Sequence, residues 1–288
     1  AGEKLNGIAT VYDMVIPTSI DIDLPESYID RNQLNTSDQR QAIEDYIYPS
    51  INAMNSSVKT VSVFDALKSH ANEYLYFRTD HHWTTDGAYL AYQAYMQAVG
   101  RQSEILTQEE LEEVRQVTPG FYGTLYSQAG ARFYEPDTIT WYDVDVDEFA
   151  FVANLQQDPE LKELGEVVQE DGLELLSVDS MMDERKLSTR DKYAAFLWGN
   201  SGYVKIKSSH NLNHEDGKTS RLLIFKDSYA NSMLPYLTYN YDEIVVVDLR
   251  YMAKSTAELM QEDFDDIFIM YNFSTFVSSA PDLARLQF

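Results

Sequence analysis

Apolar residues switch between strand-like runs and helix-like spacing from the first residues of the chain. Ile8 to Ile16 is an apolar run closed by Pro17-Thr18 and reads as a first strand. Ser37 to Ile51 repeats apolar groups at helical intervals, with Ile43, Tyr46, Ile47 and Ile51 on one face and Ser37 as the N-cap. The β-branched run Val58 to Val63 follows as a second strand, and Asp65 to His70 as a short helical turn. Strand, helix, strand at this spacing predicts the opening of a parallel α/β sheet.

Tyr74 to Gly87 is a polar, aromatic loop that leads into a helix over Ala88 to Val99, with Tyr89, Tyr92 and Met96 at helical intervals and Gly100 as its C-cap. From Arg101 to Arg190 the alternation fades and acidic stretches dominate, which predicts an insertion or cap over 101–190. Periodicity returns with Tyr193 to Trp198. Leu222 to Phe225, Ile244 to Asp248 and Ile267 to Met270 are short and apolar on both faces, as buried parallel strands are. The expectation is one α/β domain over residues 1–288.

Charge narrows the partners. The formal net charge is -25, spread along the chain, so phosphate backbones are repelled and nucleic-acid binding is excluded. Teichoic acid and anionic membrane surfaces are repelled too, which leaves a neutral or cationic substrate. The absence of cysteine excludes disulfides and thiolate zinc sites. No apolar run of about 20 residues is present, and the start at Ala1-Gly2-Glu3-Lys4 reads as trimmed, with an N-terminal signal or anchor absent from this chain.

Two features carry chemistry. Ser228 follows the strand ending at Phe225, and Met233, Leu234 and Leu237 then fall at helical spacing. It therefore stands at the carboxyl edge of a parallel sheet, where open α/β folds place ligands and where free N–H groups stabilise an oxyanion. An ordinary helix cap accounts for the same Asp227-Ser228 pair. In Asp80-His81-His82, residues two apart point to one side of an extended loop, so Asp80 can accept from His82 Nδ1 and leave Nε2 for a nucleophile. His81 then faces away, into the fold. A metal site, or two histidines packed beside Trp83, fits the same letters, although no zinc-type spacing is present and His70, His210 and His214 fall in exposed-looking segments.

Thr79-Asp80-His81-His82-Trp83-Thr84, continued by Gly87-Ala88-Tyr89, resembles the motif that names the DHHW protein family. Phe196-Leu-Trp-Gly-Asn200, Lys226-Asp-Ser228-Tyr-Ala-Asn231 and Asp248-Leu-Arg-Tyr251 resemble its later blocks in the same order. That family is similar to the SGNH-hydrolase-like catalytic domains of alginate O-acetyltransferases, where an Asp-x-His motif precedes the serine. The resemblance implies a flavodoxin-like three-layer α/β/α fold, with a central, mostly parallel sheet and an inserted cap. It implies a carbohydrate O-acyltransferase or acetylesterase acting on a cell-envelope or exported glycan, outside the cytoplasm in the cell envelope or secreted, with Ser228 as nucleophile, His82 as general base and acid, and Asp80 as the orienting carboxylate. Asn200 and the Ser228 N–H are the implied oxyanion donors. Trp83, Tyr229 and Arg250 are expected against the substrate, and neither metal nor other cofactor is expected. The partners implied are a glycan acceptor, an acyl donor and a membrane acyl-transporting protein. One departure is Lys226 where standard SGNH enzymes carry glycine before Asp-Ser. Alginate itself, a polyanion, is disfavoured by the net charge. The alternative is a catalytically weak or inactive carbohydrate-binding or assembly protein of the envelope.

Overall fold

The computed structural model describes residues 9–25, 38–130, 135–170, 172–212, 218–252 and 262–278. Ile8, Ser37, His214 and the first four residues lie outside them. The strands are β1 (Thr10–Ile16), β2 (Lys59–Thr60), β3 (Arg115–Phe121), β4 (Asp137–Tyr142), β5 (Glu148–Phe151), β6 (Glu166–Glu170), β7 (Leu173–Val178), β8 (Tyr203–Lys207), β9 (Arg221–Lys226), β10 (Glu243–Val247) and β11 (Asp266–Asn272). Nine of them form one sheet in the order β2-β1-β11-β9-β10-β8-β5-β7-β6, while β3 and β4 pair separately.

The sheet has two characters. From β2 to β10 every neighbouring pair is parallel. From β10 onward, through β8, β5, β7 and β6, every pair is antiparallel. The mostly parallel sheet expected from the sequence thus describes one half only. The stretch 101–190 divides: β3 and β4 form a separate ribbon, and β5, β6 and β7 extend the main sheet. Its acidic residues hide these strands, because Glu148 and Glu170 answer lysines of β8, with Lys207 Nζ 2.6 Å from Glu148 and Lys205 Nζ 2.6 Å from Glu170. Lys205 and Lys207 in turn mask β8 as a strand.

Helices cover both faces. Alternate residues of β1 divide between them, since Tyr12, Met14 and Ile16 join the core that holds Tyr92, Tyr95 and Met96 of the Thr85–Val99 helix. Val15 instead packs with Ile43, Tyr48 and Phe273. The Thr85–Val99 helix is capped by Thr84, whose side chain accepts from Gly87 N–H, and ends at Gly100 with φ of 85°. That left-handed conformation is one glycine adopts at little cost.

The helix expected over Ser37 to Ile51 departs from the sequence pattern in phase. Asp38 caps it, accepting from Gln41 N–H at 2.8 Å. Ala42–Ile47 then runs as a π-type turn before the α-helix Tyr48–Met54. The wider turn rotates the apolar stripe. Tyr46, expected on the buried face, is exposed, and Tyr48 is buried with its hydroxyl donating to Val61 O and accepting from Val15 N–H. Val58 to Val63 yields only the two-residue β2, and the expected turn after it is the Phe64–Ser69 helix. Tyr193 to Trp198 is no regular element beyond a 3₁₀ turn over Lys192–Ala195.

Candidate active site

The histidine-bearing loop is a narrow hairpin. Tyr76 and Trp83 form an antiparallel bridge, Phe77 N–H donates to His82 O, and Thr84 N–H donates to Leu75 O. Its tip is fastened from below by the fully buried Asp137 at the start of β4. Asp137 accepts from Arg78 N–H at 3.1 Å, Thr79 N–H at 2.7 Å, Thr79 Oγ1 at 2.5 Å and the Tyr74 hydroxyl. The ribbon thus determines where the tip stands, because a buried carboxylate needs those donors.

The tip directs Asp80 and His82 toward the end of β9. His82 Nδ1 lies 2.5 Å from Asp80 Oδ1, and His82 Nε2 lies 2.7 Å from Ser228 Oγ. Asp80 Oδ1 also accepts from His82 N–H at 3.0 Å, and Oδ2 from Thr124 N–H at 2.8 Å. Burial raises the Asp80 carboxyl, but the hydrogen bond from His82, the charges of His82 and His81, and the Thr124 N–H outweigh it. The group therefore sits well below the usual carboxylate range. His82 is 6% exposed, and its other face lies on the Tyr193 ring.

Ser228 opens a 3₁₀ turn over Ser228–Ser232 at the carboxyl end of β9. The capping role that would explain it as an ordinary helix start belongs to Asp227. Asp227 Oδ1 accepts from Tyr229 N–H at 2.9 Å, and Oδ2 from Asn272 N–H at 2.8 Å and Asn272 Nδ2 at 2.5 Å. Asp227 is thereby held between β9 and β11, and the Ser228 hydroxyl is left to His82.

A family profile described as DHHW protein matches residues 2–247. The chain belongs to the DHHW protein family. No curated protein matches it. The crystal structure of a DHHW family protein from Eubacterium siraeum is 26% identical, with a TM-score of 0.67 over 95% of this chain and 80% of that one. Bacillus cereus PatB1 is 18% identical, with a TM-score of 0.64 over 95% of this chain and 86% of that one. A second PatB1 structure, carrying a sulfonyl adduct, is 16% identical with a TM-score of 0.64 over 93% of this chain and 83% of that one. These likenesses show the SGNH-hydrolase-like α/β fold, here with its mixed sheet flanked by helices.

Other residues of this DHHW protein fall differently from expectation. Trp83 is fully buried, and its Nε1 donates to Tyr229 O at 2.9 Å and Ser232 Oγ at 3.1 Å. Tyr229 is 1% exposed, and its hydroxyl donates to His81 O. Both expected substrate contacts are therefore corrected: an aromatic side chain with a polar tip is buried when that tip finds a partner, and these two tie the hairpin to the Ser228 turn. His81 does not turn into the fold. Its side chain is 46% exposed, and burial of its remainder together with the positive charges of His82 and Arg250 lowers its pKa to about 4, against the pull of Asp80.

Asn200 is exposed, and its Oδ1 accepts from Asn231 Nδ2 at 3.3 Å. Asn231 Oδ1 in turn accepts from Lys226 Nζ at 2.8 Å. An ammonium can only donate, so Lys226 fixes which way both amides point and leaves Asn200 Nδ2 out of this chain of bonds. Lys226 itself is buried 3.5 Å from Asp248. Burial lowers its pKa, against the attraction of Asp248. Arg250 is held by Asp248 through Nε at 2.9 Å and Nη2 at 2.6 Å, with its side chain 26% exposed.

Asp80, His81 and His82 bring ligand-type atoms within 4.8 Å of one another. The 2.5 Å separation of Asp80 Oδ1 and His82 Nδ1 is that of a hydrogen bond. Two atoms each about 2.0–2.2 Å from a tetrahedral metal would stand further apart. Among the described residues, no helix is long and apolar enough to cross a membrane.

Asp137, Tyr193 and Gly123 are site residues that sequence reasoning missed. A Cβ at Gly123 would lie 2.3 Å from Asp80 Oδ2, so only glycine lets the ribbon approach the carboxylate. The one available signal was an aspartate opening the alternating run Asp137-Thr-Ile-Thr-Trp-Tyr142.

Proposed function

We propose that this DHHW protein moves or removes acyl groups on a carbohydrate through Ser228. The observation that carries the reading is the continuous hydrogen-bonded line from Asp80 through His82 to Ser228 Oγ, with separations of 2.5 and 2.7 Å. Ser228 Oγ attacks the acyl carbonyl while His82 Nε2 takes its proton, and Asp80 holds the imidazole tautomer and stabilises the cation that forms. The Ser228 N–H and Asn200 Nδ2 are the donors assigned to the oxyanion. His82 then returns the proton to the leaving group. A sugar hydroxyl or water, deprotonated by His82, resolves the acyl-serine. Arg250, fixed by Asp248, is assigned to the rim beside His81.

A net charge of -25 favours an uncharged or cationic glycan. The reading places the protein outside the cytoplasm, in the cell envelope, supplied with acyl groups by a membrane acyl-transporting partner. Because PatB1 has been captured with a sulfonyl adduct, an aryl sulfonyl fluoride is the reagent of choice. It is expected to label the wild type at Ser228 and to leave Ser228→Ala unlabelled, with loss of chromogenic acetyl-ester turnover. Equal labelling of the two proteins would overturn the proposal.

A second reading, a glycan-binding protein with little turnover, draws on the low exposure of Ser228, 8%. It predicts glycan binding without ester cleavage, and it fails if His82→Ala abolishes acetyl release while binding survives.

A further inference from the structure

A cleft of about 650 Å³ is lined among others by Trp198, Tyr251, Asn200, Asn154 and Gln157, and it is linked to the Ser228 turn through Asn200, which accepts from Asn231 Nδ2 at 3.3 Å. Its wall is held at a conformational cost. Leu197, Trp198 and Gly199 are consecutive left-handed residues with φ of 52°, 57° and 86°. Bulky side chains disfavour that region by about 1–2 kcal/mol each, and such strain persists only where the surroundings enforce it. Here Leu197 N–H donates to Met181 O at 3.0 Å, and Trp198 Nε1 to Ser180 O at 2.9 Å. The strained run delivers Trp198 and Asn200 to the cleft wall. Asn200 there meets Asn231, three residues after Ser228 in the same 3₁₀ turn.

The lining has the chemistry of a sugar site. Amides offer both a donor and an acceptor, as hydroxyls and acetamido groups require. Tyr251 is 54% exposed, and an aromatic ring offers an apolar face beside a polar tip. Charge is nearly cancelled, since Arg185 and Lys186 stand against Asp158, Glu174 and Asp183. Arg185 is itself tied to Asp183 by Nε and Nη2, both at 2.8 Å, and lies over the Trp198 ring. In a chain of net charge -25, this surface favours neither a polyanion nor a polycation. Its volume falls within the range of ligand sites, about 300–1,000 Å³.

We infer that this cleft is the subsite for an uncharged oligosaccharide, which enters along Tyr251 and Trp198 and brings its reacting group past Asn200 to Ser228. The inference rests on the acyl-transfer reading above, and binding separates the two. The Ser228→Ala protein is titrated by calorimetry with chitohexaose and cellohexaose, both uncharged, and with hexagalacturonate, an anion. The expected result is binding of at least one uncharged hexamer, weakened about tenfold by Tyr251→Ala and by Asn154→Asp, a loss of about 1.4 kcal/mol each. Thermal melting of each variant checks that it is folded. Failure of both uncharged hexamers to bind, unchanged affinity in both variants, or tighter binding of hexagalacturonate overturns the subsite. If Ser228 is labelled by the sulfonyl fluoride while no hexamer binds, the subsite falls alone. If hexamers bind as expected while Ser228 resists labelling, the acyl-transfer reading falls alone.

Discussion

The imidazole of His82 lies flat on the phenol ring of Tyr193, with centroids 3.7 Å apart and planes 8° apart. The Tyr193 hydroxyl donates to Ser228 O at 2.9 Å and lies 3.4 Å from Ser232 Oγ. One buried side chain thus sets both the plane of the His82 imidazole and the backbone that carries Ser228.

Tyr193→Phe keeps the ring and loses the bonds, at about 0.5–1.5 kcal/mol, so chromogenic acetyl-ester turnover should fall by about 2- to 10-fold. Tyr193→Leu also removes the flat support, and misplacement of the base should cost roughly 100-fold. Steady-state kcat/KM of the two variants checks the order. Equal losses would show that stacking contributes nothing.

Asp80→Asn should lower turnover by about 10⁴-fold, since the amide favours the wrong imidazole tautomer. Its pH signature has a definite sign. The folded-state pKa is depressed, so ionised Asp80 contributes stability that is fully present above its unfolded value and lost as pH falls through the folded one. Melting temperatures of wild type and Asp80→Asn should therefore converge as pH drops below about 4. A gap independent of pH would contradict the assignment.

Gly123→Ala places a methyl 2.3 Å from the Asp80 carboxylate and presses on the Thr124 N–H bond. Ester turnover should fall by at least about tenfold, the equivalent of about 1.4 kcal/mol. Because Gly123 sits at the end of the ribbon, far-ultraviolet circular dichroism should keep its folded form. Full activity in this variant would mean that the ribbon yields.

Asp13 supplies a prediction away from the site. It is buried in β1, its Oδ1 finds no hydrogen-bond partner among the described residues, and burial raises its pKa to about 7. A raised folded-state pKa contributes stability that is complete below the unfolded value and lost as pH rises through 7. The wild type should lose roughly 2–4 kcal/mol between about pH 4 and pH 8 from this group. Asp13→Asn should be less pH-dependent and more stable at pH 8. Denaturant titrations at the two pH values measure the difference.

Asp80 and His82 were legible because residues two apart in a loop share a side, and Ser228 because an apolar run stops just before it. The parallel strands were legible for the same reason: β9, β10 and β11 are apolar on both faces. The antiparallel half was not. Its strands carry glutamates and lysines that satisfy one another across the sheet, and in one dimension these look like loop. Trp83 misled because an aromatic residue in a polar loop reads as exposed, whereas its indole N–H has two acceptors inside. Tyr193, Asp137 and Gly123 left little trace, since their roles depend on contacts between segments far apart in the chain.

β10 pairs in parallel with β9 on one edge and antiparallel with β8 on the other, which makes it the seam of the molecule. Ser228 hangs on the parallel side of that seam. Phe151 at the end of β5, and Ser201-Gly202 leading into β8, line the cleft from the other side. The cleft therefore rests largely on strands of the antiparallel half and Ser228 on the parallel half, so substitutions in β5, β7 or β6 can reshape the one without moving the other.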